Sequence, residues 1–189
     1  MYSGRASGTA GHVDNCQVGV FLCYASSRGS AFIDRALYLP HTWTRNQDQR
    51  IEAHVPSDVT FATKPTLAIA MLERAIVACV PFGWVTGDSV YGHDRHVRHW
   101  LEQRQQPYVL AVQSTTHLKQ DAHWCRSAKQ LAAEFAPTDW QRQSAGNGTK
   151  GPRWYDWACH KVWWQSTNAP ATAWGQCCSY AGMYMIPPI

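Results

Sequence analysis

The order in which apolar periodicity changes along the chain limits the fold more than any other feature. Residues 16–25 (CQVGVFLCYA) and 31–39 (AFIDRALYL) are apolar runs rich in β-branched and aromatic side chains, separated by SSRGS at 26–30. Such runs predict two strands, and the short turn between them predicts an antiparallel hairpin that ends at Pro40. The period then lengthens. Thr63 and Lys64 lead into Pro65, a residue favoured in the first turn of a helix, and Leu67, Met71, Leu72, Ala75 and Ile76 fall on one helical face before Pro81. A short strand at 82–85 (FGWV) follows. A helix at about 94–103, with Val97, Trp100 and Leu101 inward, leads to a strand at 108–112 (YVLAV). This is a hairpin followed by a β-α-β unit, whose crossover makes its two strands parallel within a mixed sheet with flanking helices.

The flanks are less regular. Residues 2–11 are Gly/Ser/Thr/Ala-rich and read as loop. Ser127-x-x-Gln130 is a capping-box pattern that starts a helix through Phe135, SAGNGTKG at 144–151 reads as a turn, and 154–162 as a strand. From 163 onward the chain carries no charged residue and no clear period. That change of character sets 163–189 apart as an atypical tail.

Charge excludes little. A net charge of +4 permits nucleic-acid binding without requiring it. The seven cysteines are odd in number and show no C-x-x-C spacing. No signal-peptide pattern is visible, and no apolar stretch approaches the roughly 20 residues of a membrane span. These features predict a reduced, cytoplasmic protein that does not enter a membrane.

Asp88 is the first position to weigh. It follows a predicted parallel strand, and ligands of open α/β sheets sit at the carboxyl ends of strands. A carboxylate there suits a hard divalent cation such as Mg²⁺, while Gly-Asp at a strand end also serves as a turn or helix cap. Asp14 reads as a turn residue, Asp34 as half of a structural ion pair, and Asp94 and Asp121 as cap and loop residues. His93, His96 and His99 recur every third residue, a poor match to the i, i+4 spacing of zinc helices. With Arg95 and Arg98 between them, they read as a solvated basic face. Trp140, Arg142, Lys150, Arg153, Trp154 and Trp157 interleave cations with aromatics. That pattern suits phosphate contact with base stacking, or the packing of a small β subdomain.

Several segments carry a resemblance. SGTAGHVDNCQVGVFLCYAS, DRALYLPHTWT, FATKPTLAIAMLERAIVACVPFGWVTGDSVYGHD and PYVLAV resemble, in one collinear stretch, the catalytic core of bacterial insertion-sequence DDE transposases of the seven-hundred-and-one group. WQRQSAGNGTKGPRWYDWA resembles part of the β-rich insertion of such cores. Together they cover about residues 5–162.

The resemblance implies an RNase H-like fold, with a core at 1–113 and the start of the insertion at 114–162. It implies three metal-binding acids that hold Mg²⁺ or Mn²⁺ and cut and join DNA at transposon ends and target. Asp88, in WVTGDSVYG, matches the second acid; neither the first acid on the opening central strand nor the Glu of a later helix has a counterpart. The expectation is therefore a truncated fragment, inactive alone, with an open place beside the strand at 82–85 and a tail in which the reading frame has shifted. It further implies DNA contacts from Arg142, Lys150, Arg153 and Trp154, oligomers on DNA, and a location at the bacterial nucleoid. The alternative is a non-enzymatic DNA-binding or regulatory product of a transposase gene.

Overall fold

The computed structural model describes residues 5–6, 13–14, 17–119, 125–148, 151–159, 161–162 and 179–180. The chain divides into two compact units, Met1–Phe82 and Gly83–Ile189.

The first unit is built on a hairpin. β1 (Arg5–Ala6) and β2 (Val13–Asp14) form a minimal antiparallel pair with Arg5 opposite Asp14. The loop expected across 2–11, and the turn expected at Asp14, are thus corrected locally, because two-residue ladders leave no side-chain period to read. β3 (Val18–Ser26) and β4 (Gly29–Tyr38) pair antiparallel from Val18 opposite Tyr38 to Ser26 opposite Gly29. The turn closes on Gly29 at φ 138°, a conformation side chains disfavour, and the Ser26 hydroxyl accepts from the Arg28 N–H at 3.2 Å. Leu22 faces Asp34 while Cys23 faces Phe32, so Ile33 is the extra residue of a β-bulge.

Short helices α1 (His41–Thr44) and α2 (Gln47–Glu52) follow; the Asn46 side chain caps α2 through the Gln49 N–H. α3 (Lys64–Val77) then starts where the sequence places it. The Thr63 hydroxyl accepts from the Thr66 N–H at 3.2 Å, and Pro65 sits in the first turn. α3 packs on β3 and β4 and buries Met71, Leu72 and Ala75. Ile76, expected inward, is 41 % exposed: it lies past the edge of the contact stripe. Asp34 does form a structural ion pair, with Arg74 of α3 at 2.8 Å rather than with its neighbour Arg35. The hydrogen bond from Arg74 holds the Asp34 carboxyl below its ordinary range.

The second unit opens with the β-α-β arrangement. β5 (Val85–Gly87) is followed by α4 (Ser89–His93), α5 (Arg95–Gln103) and β6 (Tyr108–Leu110). β5 and β6 run parallel, Val85 opposite Tyr108 and Gly87 opposite Leu110. The strand expected at 82–85 therefore begins only at Val85, and Trp84 stands 63 % exposed ahead of it. β7 (His117–Lys119) pairs with β8 (Cys125–Ser127), a hairpin the sequence does not announce. The capping box appears as read: Ser127 and Gln130 exchange hydrogen bonds at the start of α6 (Ala128–Ala133). Leu118, Ala128 and Leu131 form a buried cluster beneath it.

β9 (Gln141–Gly148) and β10 (Gly151–Trp157) make the last long hairpin. Residues 144–148, read as turn, are strand, because β10 supplies the backbone partners that a Gly/Ser-rich run does not advertise. Two-residue strands β11 (Lys161–Val162) and β12 (Ser179–Tyr180) pair antiparallel. The rest of the tail at 163–189 lies outside the described residues, as does Asp121. Among the described residues every ladder is two-stranded; β3 pairs with β4 alone and β5 with β6 alone.

Candidate active site

β5 ends at Gly87 and delivers Asp88 to the carboxyl end of a parallel strand, solvent-exposed. Of the two readings of Asp88, the geometry shows the helix cap. As N-cap of α4 it accepts the Val90 N–H on Oδ1 at 2.8 Å, while its carbonyl accepts the N–H groups of Tyr91 and Gly92 at 3.1 and 2.9 Å. One oxygen of the carboxylate is thereby oriented by the backbone.

The turn around Asp88 is tightly fitted. A Cβ at Gly87 would lie 3.0 Å from a Leu110 methyl, and a Cβ at Gly92 would collide with the Ala111 carbonyl oxygen. The Ala111 N–H donates to the Gly87 carbonyl at 2.9 Å, extending the parallel ladder to the base of Asp88. Burial, and secondarily the Asp88 charge, push the Tyr91 hydroxyl above its ordinary pKa.

Asp94 caps α5 as read, accepting the N–H groups of His96 and Val97 at 2.7 and 3.2 Å. His93, His96 and His99 are exposed, and His96 Nδ1 lies 3.3 Å from Asp94 Oδ1. Arg98 departs from the basic-face reading. It is only 7 % exposed, between Val97 and Leu101 on the buried stripe of α5, and its Nη1 donates to the Gly92 carbonyl. Trp100, expected fully inward, is half-buried with the Arg104 guanidinium 4.1 Å from its ring centre. Sequence reasoning missed Arg98 and Gly92. The available signal was that Arg98 sits one position from Val97 and three from Leu101.

In the second candidate region, Arg142 donates from Nε and Nη2 to the two Asp156 oxygens, both at 2.8 Å, across directly opposed positions of β9 and β10. This exposed pair holds Asp156 below and Arg142 above their ordinary pKa values. Arg153 donates to the Ala145 carbonyl at 3.0 Å, and Trp154 is 54 % exposed. Trp140 packs edge-on against Phe135 and Tyr155 against Trp157, at centroid distances of 5.5 and 6.4 Å. Lys150 lies outside the described residues.

A divalent ion would find in Asp88 one hard oxygen ligand open to water. Among the described residues no group of three or more His, Cys, Asp or Glu side chains gathers to hold a metal. The described residues thus suit a single ligand of such an ion and do not fit a metal pair, which needs carboxylates bridging ions about 3.5–4 Å apart. Among them, too, no helix is long and apolar enough to cross a membrane.

A mixed α/β chain with small sheets, several helices and an exposed carboxylate at the end of a parallel strand is what a partial RNase H-like domain looks like. The family of DDE superfamily endonucleases matches residues 3–142, and the chain belongs to it. The family as a whole is one of nuclease- and transposase-type DNA cleavage, generally with divalent metal ions. No curated protein and no solved structure matches the chain.

Proposed function

We propose that this chain is core sequence of a bacterial insertion-sequence DDE transposase, with Asp88 as one of the carboxylates that hold Mg²⁺ or Mn²⁺. The observation that carries this reading is the position of Asp88. It stands at the carboxyl end of β5, solvent-facing, aimed by the Val90 N–H, and inside the family match. Residues 1–113 are the RNase H-like core and 114–162 the start of the β-rich insertion. The partner is DNA, at transposon ends and target, and the protein acts as an oligomer on it at the nucleoid.

Arg142, Lys150, Arg153 and Trp154 contact that DNA. The exposed Trp154 ring offers a stacking face, and Arg142 commits two of its five N–H donors to Asp156, leaving the others for phosphate. Among the described residues Asp88 is a lone carboxylate, which does not hold a metal pair, so we expect these residues to bind DNA without completing cleavage; the alternative is a non-enzymatic DNA-binding or regulatory product of a transposase gene.

The test is to incubate the purified chain and Asp88→Ala with supercoiled DNA and Mg²⁺ or Mn²⁺. Neither is expected to nick it. Metal-dependent nicking that disappears in Asp88→Ala would overturn the inactivity while confirming the ligand. Duplex binding is expected to be weak, sequence-independent and steeply salt-dependent, since the contacts are cations to phosphate. Sequence-specific binding that survives high salt would require a reader other than these residues.

A further inference from the structure

We infer that Arg98 is a positioning residue for Asp88, acting through the short helix α4. The inference rests on the proposed role of Asp88 and deepens it. α4 is only five residues long, too short to hold its own geometry, because helix nucleation is costly and most of its backbone groups lack intrahelical partners. Something outside it must fix it.

At its N-terminus the fastening is Asp88 itself, through Val90. At its C-terminus the Gly92 carbonyl accepts from Nη1 of Arg98, a buried guanidinium on α5. At that same C-terminal end Gly92 lies so close to the Ala111 carbonyl that no side chain fits, which seats α4 on the end of β6. The Gly92 N–H in turn donates to the Asp88 carbonyl at 2.9 Å, so the residue that Arg98 grips is hydrogen-bonded to the residue that carries the acid. Arg98 is itself held in place, since its neighbours Val97 and Leu101 are 2 % and 0 % exposed. A charge-assisted hydrogen bond from a fixed donor is among the stronger single contacts available to pin a short helix. Loosening it frees α4 and lets the Asp88 carboxylate wander from the strand end.

Hydrogen exchange on the full chain reads this directly. Arg98→Met keeps stem and volume and removes the donor. Exchange across 88–93 is expected to speed up about tenfold or more, the scale of losing a charged hydrogen bond, while 99–103 stays near wild type. Arg98→Lys, which keeps a charged donor, is expected to restore part of that protection. Mn²⁺ added to wild type is expected to broaden the amides of 87–90, and Arg98→Met is expected to need more Mn²⁺ for the same effect. Wild-type protection of 88–93 in Arg98→Met overturns the inference, as does an equal loss across 99–103, which would make Arg98 merely part of the α5 core. If Arg98→Met fails to fold, Arg98→Lys decides: a partial loss confined to 88–93 supports the inference and no local loss overturns it. Absence of Mn²⁺ broadening in wild type sinks the ligand role of Asp88 and, with it, the functional meaning of the clamp, whereas the exchange data still report the clamp itself.

Discussion

The segment from β5 to β6 and the β9–β10 hairpin both carry residues proposed for DNA chemistry, yet they are held by different means. Around Asp88 the restraints are steric and buried: Gly92 against the Ala111 carbonyl, Arg98 beneath Gly92, and Leu101 at 0 % exposure in the helix behind. In the hairpin the cross-strand side-chain restraints are exposed polar contacts, Arg142 to Asp156 and Arg153 to the Ala145 carbonyl, in a ladder whose first strand is polar and exposed. A carboxylate that must meet a metal at a set place needs a rigid base, because small displacements are costly in such sites. A surface that follows a flexible polyanion tolerates adjustment. The difference in construction matches the difference between the two proposed tasks.

That comparison is breakable in order of expected effect. Leu101→Ala removes the most buried side chain of α5 and is expected to cost about 2–5 kcal/mol in thermal or denaturant unfolding. An effect under about 1 kcal/mol would show that the site is not backed by a packed core. Gly92→Ala comes next: forcing a methyl against a backbone carbonyl is expected to cost about 1–3 kcal/mol, with exchange rising first across 88–93. Asp88→Ala loses a cap at about 0.5–2 kcal/mol, and should abolish Mn²⁺ broadening near 87–90 while leaving the unfolding transition cooperative.

The smallest effects are titrations, and they separate the two regions by sign. Asp156 has a folded pKa below its unfolded value near 3.9, so its pair with Arg142 stabilises the hairpin above that pH and is lost as pH falls through the lower folded value. Tyr91 has a folded pKa above its unfolded value near 10, so its contribution is complete below about pH 10 and lost as pH rises through the higher folded value. Protection relative to the intrinsic exchange rate at each pH should therefore fall in 141–157 on acidification and in 88–93 on strong alkalinisation. Arg142→Ala should abolish the first response and leave the second untouched; the reverse outcome would mean the restraints have been assigned to the wrong regions.

Much of this was legible in the amino-acid order. The hairpin of apolar runs at 16–25 and 31–39, the Thr63-Lys64-Pro65 start of α3, the Ser127/Gln130 capping box and the Asp94 cap all appear as read, because each is a local device whose partners lie close in the chain. Asp88 at a strand end belongs with them: strand, turn and cap are consecutive in the chain. What failed were strands whose own composition carries no strand signal, although their partners are close in the chain. The Gly/Ser-rich run at 144–148 became strand because β10 came to meet it, and His117–Lys119 because Cys125–Ser127 did.

The chain order by itself determined the starts of α3, α5 and α6, the parallel β-α-β connection, the place of Asp88 and the family. Only the tertiary structure decided that Arg98, one of several cations on a His/Arg-rich helix, turns inward to a carbonyl, and that Asp34 pairs with a residue 40 positions away rather than its neighbour. The physical reason is the same in both cases. A charged side chain can be satisfied by solvent or by a distant partner, and its own sequence neighbourhood is nearly identical for the two; the choice is made by which elements close over it.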